Sequence, residues 1–306
     1  MKYFNSLVLL VMMAGSSLLL AQSSQLKDGE VYLNINGLKH WVKIKGSANN
    51  NTPIFIVHGG PGGNNYSFER TIGPKLEAFA TIIYYEQRGS GRSEAPKDEK
   101  DYALPTLIND LDVLRDSLRI QKMNLLGYSF GAELSLRYAL AHPDRVEKLI
   151  LSSPAELSIS NMLVQIQGFY TIGDSIMKNS IENILKDTIP VQQKLSNIWN
   201  ASNTEMVDKF LFLNPENAKK NRLLWKESKL TNTENAKGDL VEKTTGLQIP
   251  SLLICGIYDK NGGLHTSISL KQVLPNSILK LYENSAHFPD IEETERFAAD
   301  VKDFIK

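Results

Sequence analysis

Residues 123–140 read MNLLGYSFGAELSLRYAL. Met123 to Leu126 is an apolar run of strand length that stops at Gly127, and Ala132 to Leu140 is a helical stretch that starts after Gly131. Between them lies Gly127-Tyr128-Ser129-Phe130-Gly131, a GxSxG pattern at a strand–turn–helix junction. Such a turn is sharp, so its flanking positions must lack bulk, and the central serine is lifted above the sheet edge. In isolation the pattern is weak and fits a loop serine between two glycines. At this junction it marks Ser129 as a candidate nucleophile.

Outward from that turn, short apolar runs bounded by turn residues recur along the chain: Val31 to Ile35, His40 to Ile44, Pro53 to Val57, Thr81 to Tyr85, Lys148 to Leu151, Ser251 to Cys255 and Ile278 to Tyr282. With Met123 to Leu126 they make eight. The first two are joined by Asn36-Gly37 and read as an antiparallel pair. The rest, continuous rather than alternating, read as strands of a buried parallel sheet. Helices fill the gaps. Leu107, Leu111, Leu114 and Leu118 make one apolar stripe, and Phe297, Val301, Phe304 and Ile305 another. Asp290 and Glu293, ahead of that last helix, have capping-box spacing. The expected fold class is α/β: a mostly parallel eight-stranded sheet with helices on both faces. Residues 156–246 break the rhythm. They are polar, rich in Asn and Lys, and carry helical fragments at Ile181–Leu185 and Met206–Phe212, so they read as a helical cap inserted into a core of residues 22–155 and 247–306.

Composition bounds the function. The chain has 306 residues, 42% hydrophobic and 22% charged, as in an ordinary globular protein. Basic and acidic residues balance at 34 each, so no charge footprint for nucleic acid or anionic membrane stands out. Residues 1–21 (Lys2, then an apolar Leu7 to Leu20, then Ala21) read as a secretory signal peptide, and the protein is expected to be secreted or periplasmic. The apolar run is short for a spanning helix, so no stable membrane insertion is expected after cleavage. The single cysteine, Cys255, excludes an internal disulfide and sits in a strand as a small core residue.

A serine hydroxyl needs a base, and the base an orienting acid. Of five histidines, only His287 lies between the last strand and the last helix, where the chain order serine, acid, histidine of a GxSxG elbow places the base. Asp259, after the preceding strand, holds the acid's position, with Asp239 and Asp290 as rivals and a turn-forming role as its bland alternative. His58-Gly59-Gly60-Pro61-Gly62-Gly63 follows the third strand. Its glycines let backbone approach a substrate oxygen, which assigns the Gly60 and Phe130 N–H groups as oxyanion donors. His58 itself reads as structural. Glu86 to Ser93, EQRGSGRS, reads as a tight charged turn. No metal-ligand spacing and no phosphate-binding loop is present, so no cofactor is expected.

HGGPGG at 58–63, EQRGSGRS at 86–93 and GYSFG at 127–131 together resemble the proline iminopeptidase branch of the α/β-hydrolases, and so do AHPDRVEKLIL at 141–151, GIYD at 256–259 and AHFPDIEETERF at 286–297. The resemblance covers about residues 30–155 and 247–306. It implies an α/β-hydrolase fold, a triad of Ser129, Asp259 and His287, and release of an N-terminal residue, often proline, from short peptides without a cofactor. It also implies that cap carboxylates bind the peptide's amino group, with Glu205, Glu216, Glu227 and Glu234 as candidates. The family usually carries Asp where Glu86 stands, and often GGSWG where GYSFG stands. Two other functions fit the same residues: an esterase, lipase-like or lactone hydrolase of small esters, and an inactive hydrolase-fold binding protein.

Overall fold

The computed structural model describes residues 26–154, 158–224 and 240–306. All eight apolar runs form strands: β1 (Gly29–Ile35), β2 (Leu38–Lys45), β3 (Ile54–Val57), β4 (Ile82–Tyr85), β5 (Met123–Tyr128), β6 (Val146–Ser152), β7 (Ser251–Gly256) and β8 (Ser277–Tyr282). They make one sheet in the order β1-β2-β4-β3-β5-β6-β7-β8. β1 and β2 pair antiparallel, as do β2 and β4, and every later pairing is parallel.

Successive side chains of a strand point to opposite faces, and this alternation divides the core in two. Phe55, Val57, Ile83, Tyr85, Leu125, Leu149, Leu151 and Leu253 face one layer. It is built by α2 (Leu104–Ser117) and α3 (Phe130–Ala141), and the stripe of Leu107, Leu111 and Leu114 packs there. Ile54, Ile56, Ile82, Tyr84, Leu126, Ile150, Leu252 and Ile254 face the other layer, against Leu76 of α1 (Gly73–Glu77) and against Phe297 and Val301 of the C-terminal helix, residues 294–305. The continuous apolar runs are thus explained: both faces are covered, so neither parity can be polar.

Between β6 and β7 the chain forms a helical cap, with α4 (Ile159–Ile172), α5 (Ser175–Lys186), α6 (Val191–Ala201), α7 (Thr204–Leu211) and α8 (Pro215–Leu224), followed by the short α9 (Leu240–Lys243). Three of these helices start where a side chain satisfies an orphan N–H of the first turn. Ser158 accepts from Asn161, Asp174 from Met177 and Asn203 from Met206. The cap has its own apolar cluster, in which Phe169 stacks on Phe210 at 4.0 Å and Trp199 meets both rings edge-on. α10 (Gly263–Val273), α11 (Pro289–Glu292) and α12 (Thr294–Ile305) complete the chain.

The expected capping box does not form. No side chain caps α12. Asp290 is buried within α11, and the Glu293 carboxylate instead accepts from the Asn284 N–H and the Ser285 hydroxyl. Phe210→Ala removes the ring at the centre of the cap cluster and is expected to lower stability by about 3–5 kcal/mol in urea unfolding.

Candidate active site

Six loops leave the sheet at the carboxyl ends of its parallel strands, where open α/β sheets bind ligands. Ser129 follows β5. Its N–H still donates to Ser152 C=O of β6 at 2.9 Å, while its backbone turns to φ 55°, ψ −124°. Positive φ is strained for a non-glycine residue, and it re-aims the side chain away from the sheet. The flanking glycines are required sterically. A Cβ on Gly131 would lie 1.9 Å from Val57 O, and one on Gly127 would lie 2.3 Å from Gly131 O. α3 therefore begins in direct contact with the end of β3. Tyr128 is fixed beside the turn by its Oη–H bond to Asn64 C=O at 2.8 Å and by stacking on Phe68.

Asp259 follows β7 and His287 follows β8. The His287 Nδ1 lies 3.0 Å from Asp259 Oδ2, and its Nε2 lies 3.0 Å from Ser129 Oγ. A carboxylate only accepts, so Nδ1 carries the proton and Nε2 presents its lone pair to the serine hydroxyl. The other Asp259 oxygen accepts from the Asn261 N–H at 2.8 Å. Gly263 lets the helix after this loop sit against the carboxylate, since a Cβ there would meet Asp259 Oδ2 at 2.1 Å. Both imidazole and carboxylate are buried. Asp259 thus stands in the line. Asp290 does not bond to His287, and Asp239 lies outside the described residues.

The glycine loop lies over Ser129. A Cβ on Gly59 would be 3.0 Å from Ser129 Cβ, and Gly60 has φ 124°, a conformation suited to glycine. Gly60 and Phe130 both line the cavity at Ser129. Phe130 opens α3, so its N–H belongs to the first turn, which lacks intrahelical acceptors. His58 is wholly buried: Nδ1–H donates to Gly59 C=O at 3.0 Å and Nε2 accepts from the Gln87 N–H at 2.9 Å. Burial holds its pKa below the ordinary histidine value, in keeping with the neutral form.

The EQRGSGRS turn buttresses this loop. The fully buried Glu86 accepts from Arg92 at 2.6 Å and from the Asn65 N–H. Arg88 makes a two-pronged bond to Asp110, 2.6 Å on each arm. Gln87 is the link, because its backbone and side chain both bond His58. A turn that looks merely charged in sequence is a paired, buried scaffold for the glycine loop.

The cavity has a volume of about 320 Å³, and cap residues Gln165, Trp199 and Leu211 line it together with Ser129 and Phe288. Glu133 and Asn261 also reach it. These residues were not singled out in the sequence. Phe288 and Glu133 adjoin His287 and the GYSFG turn, and Asn261 lies two places after Asp259, with its Nδ2 3.2 Å from His287 Nε2. The structure does not bring Glu205 or Glu216 to the cavity. Glu205 is exposed and paired with Lys209 at 2.6 Å, which holds its carboxyl below the usual range. Glu216 is exposed on the first turn of α8. Glu205 lies on the polar face of the amphipathic α7, and both carboxylates are exposed to solvent. Glu227 and Glu234 lie outside the described residues. Among the described residues, no group of three or more His, Cys, Asp or Glu could hold a metal ion, and no helix is long and apolar enough to cross a membrane.

The sheet order and the elbow at Ser129 define an α/β-hydrolase, and the chain belongs to the alpha/beta hydrolase fold family, whose family model matches residues 52–294. It is similar to a proline iminopeptidase of Heyndrickxia coagulans, 28% identical over 83% of this chain and 90% of that one. It is 25% identical to a proline iminopeptidase of Lactobacillus delbrueckii subsp. bulgaricus, over 90% and 97%. Among solved structures, a proline iminopeptidase-related protein of Thermus thermophilus superposes with a TM-score of 0.75 at 20% identity, over 92% of this chain and 98% of that one. An esterase of Exiguobacterium antarcticum shares the fold with a TM-score of 0.59 at 22% identity, over 90% and 99%.

Burial pushes the Asp290 carboxyl up to about 7. The native state then holds a proton that the unfolded chain releases near the ordinary aspartate value, so stability falls as pH rises through that window and levels off above about 7. Asp290→Asn removes this titration. Urea unfolding across about pH 4 to 8 is expected to show the variant gaining on the wild type until neutrality, with a constant difference beyond.

Proposed function

We propose that the protein is an exported aminopeptidase of the proline iminopeptidase type, acting through Ser129, His287 and Asp259. The observation that carries the chemistry is the unbroken line from hydroxyl to imidazole to carboxylate, opening on a cavity that Gly60 and Phe130 also line. In this reading Ser129 Oγ attacks the scissile carbonyl carbon while His287 Nε2 takes its proton. The Gly60 and Phe130 N–H groups hold the oxyanion, each worth about 3–4 kcal/mol of barrier lowering. His287 then gives the proton to the leaving amine, and water, activated by the same base, clears the acyl-enzyme. Asp259 fixes the tautomer and stabilises the imidazolium. The peptide specificity draws on the similarity to proline iminopeptidases over most of both chains. Export rests on residues 1–21, which lie outside the described residues; mass spectrometry of the mature protein is expected to find an N-terminus near Gln22.

One observation favours a second reading. Glu205 and Glu216, the described cap carboxylates assigned to the substrate's amino group, face away from the cavity, whose walls are largely aromatic and apolar. That suits a small acyl ester, and it makes an esterase the alternative. Turnover of a proline anilide against a panel of short acyl esters separates the two, and activity confined to the esters would exclude the aminopeptidase. In either case Ser129→Ala is expected to abolish turnover with the fold intact, and Asp259→Asn to lower kcat by about 10⁴. Full activity in Ser129→Ala would end the proposal.

A further inference from the structure

The histidine loop is tied to the cap at several points. The His287 N–H itself donates to Leu211 C=O, at the end of α7, at 3.0 Å. The next cap residue, Phe212, stacks its ring on Phe288 with centroids 4.7 Å apart and planes inclined by 21°. The two after it, Leu213 and Asn214, both donate their N–H groups to Glu292 Oε1, at 2.8 and 2.9 Å. The other oxygen of the same carboxylate accepts from the Ala286 N–H at 2.7 Å. One side chain thus gives one oxygen to the cap and the other to the residue that precedes the histidine.

We propose that Glu292 is a positioning residue for His287, a latch that locks cap segment 211–214 to the histidine loop so that seating of the cap and alignment of the base are a single event. The inference rests on the reading of His287 as the base for Ser129. A glutamate that merely stabilised its own turn would bond within residues 283–293, whereas this one spans two layers of the molecule. Three converging N–H donors require an acceptor-only group. The carboxylate is half-buried and burial raises its pKa, while the Ala286, Asn214 and Leu213 N–H groups and the Asn217 side chain oppose that shift. The latch also reaches the cavity, because Leu211 and Phe288, the residues beside it in sequence, form part of its wall. A cap displaced by an oversized substrate would therefore pull on the loop that carries the base.

The experiment uses the full chain and two variants. Glu292→Gln keeps the shape but turns an NH₂ donor toward either the cap donors or the Ala286 N–H. Phe212→Ala removes the ring contact from the cap side without touching the carboxylate. Hydrogen exchange is followed in peptides covering 211–214 and 285–288, together with kcat and KM on whichever substrate the wild type turns over and the rate of Ser129 labelling by a small fluorophosphonate. Misplacing a catalytic group by about 1 Å can cost about 100-fold. Glu292→Gln is expected to lower kcat and the labelling rate together by about 10–100-fold, with a smaller change in KM. Both peptides should exchange faster in each variant, and the double variant should lose less than the product of the single losses. Faster exchange confined to 211–214, with kcat and labelling unchanged, would overturn the proposal. So would unchanged exchange at 285–288 in Phe212→Ala, which decides the matter if Glu292→Gln does not fold. If wild-type Ser129 fails to label and Ser129→Ala retains activity, the functional reading fails instead, and the exchange measurements still report on the latch.

Discussion

Parallel pairing of β5, β6, β7 and β8 brings distant residues to one edge. Tyr128 lies opposite Ser152, Ser152 opposite Ile254, and Gly256 opposite Tyr282. Parallel strands lie about 4.8 Å apart and all release their chains at the same end. A serine one residue past β5, an aspartate three past β7 and a histidine five past β8 therefore emerge within reach of one another. The register supplies the coarse placement, and the two 3.0 Å contacts of His287 are the final adjustment. Glycines make that adjustment possible where backbone must pass backbone, as at Gly131 against Val57.

The eight strands and the three aligned residues could be read in the sequence because each follows from local punctuation. A buried parallel strand is a continuous apolar run, and a loop that holds a reactive group breaks from that run at a fixed end. The cavity walls could not be read this way. Trp199, Gln165 and Leu211 belong to helices whose apolar faces also build the cap core, and periodicity alone does not separate a side chain that lines a cavity from one that packs beside it. The same limit explains Glu205, which lies on a helix of the right segment but on its solvent face. Glu293 shows a different failure: its spacing fits a cap, but the Asn284 N–H and the Ser285 hydroxyl take the carboxylate.

Several buried charges support the site from behind. Glu86 with Arg92, and Arg88 with Asp110, are buried pairs linked to the glycine loop through Gln87 and His58. A buried pair contributes little net stability but resists loss of either partner. That makes it suited to holding a loop in one geometry, which is what an oxyanion site requires. The Glu292 carboxylate bridges cap and histidine loop in a comparable way.

The central claim is that the Ser129 hydroxyl is activated by His287. Peptide mapping after treatment with a fluorophosphonate tests it most directly, with the wild type compared with His287→Ala. The account predicts a single adduct on Ser129 in the wild type and almost none in the variant. An adduct on another residue, or equal modification of Ser129 without the imidazole, would contradict it.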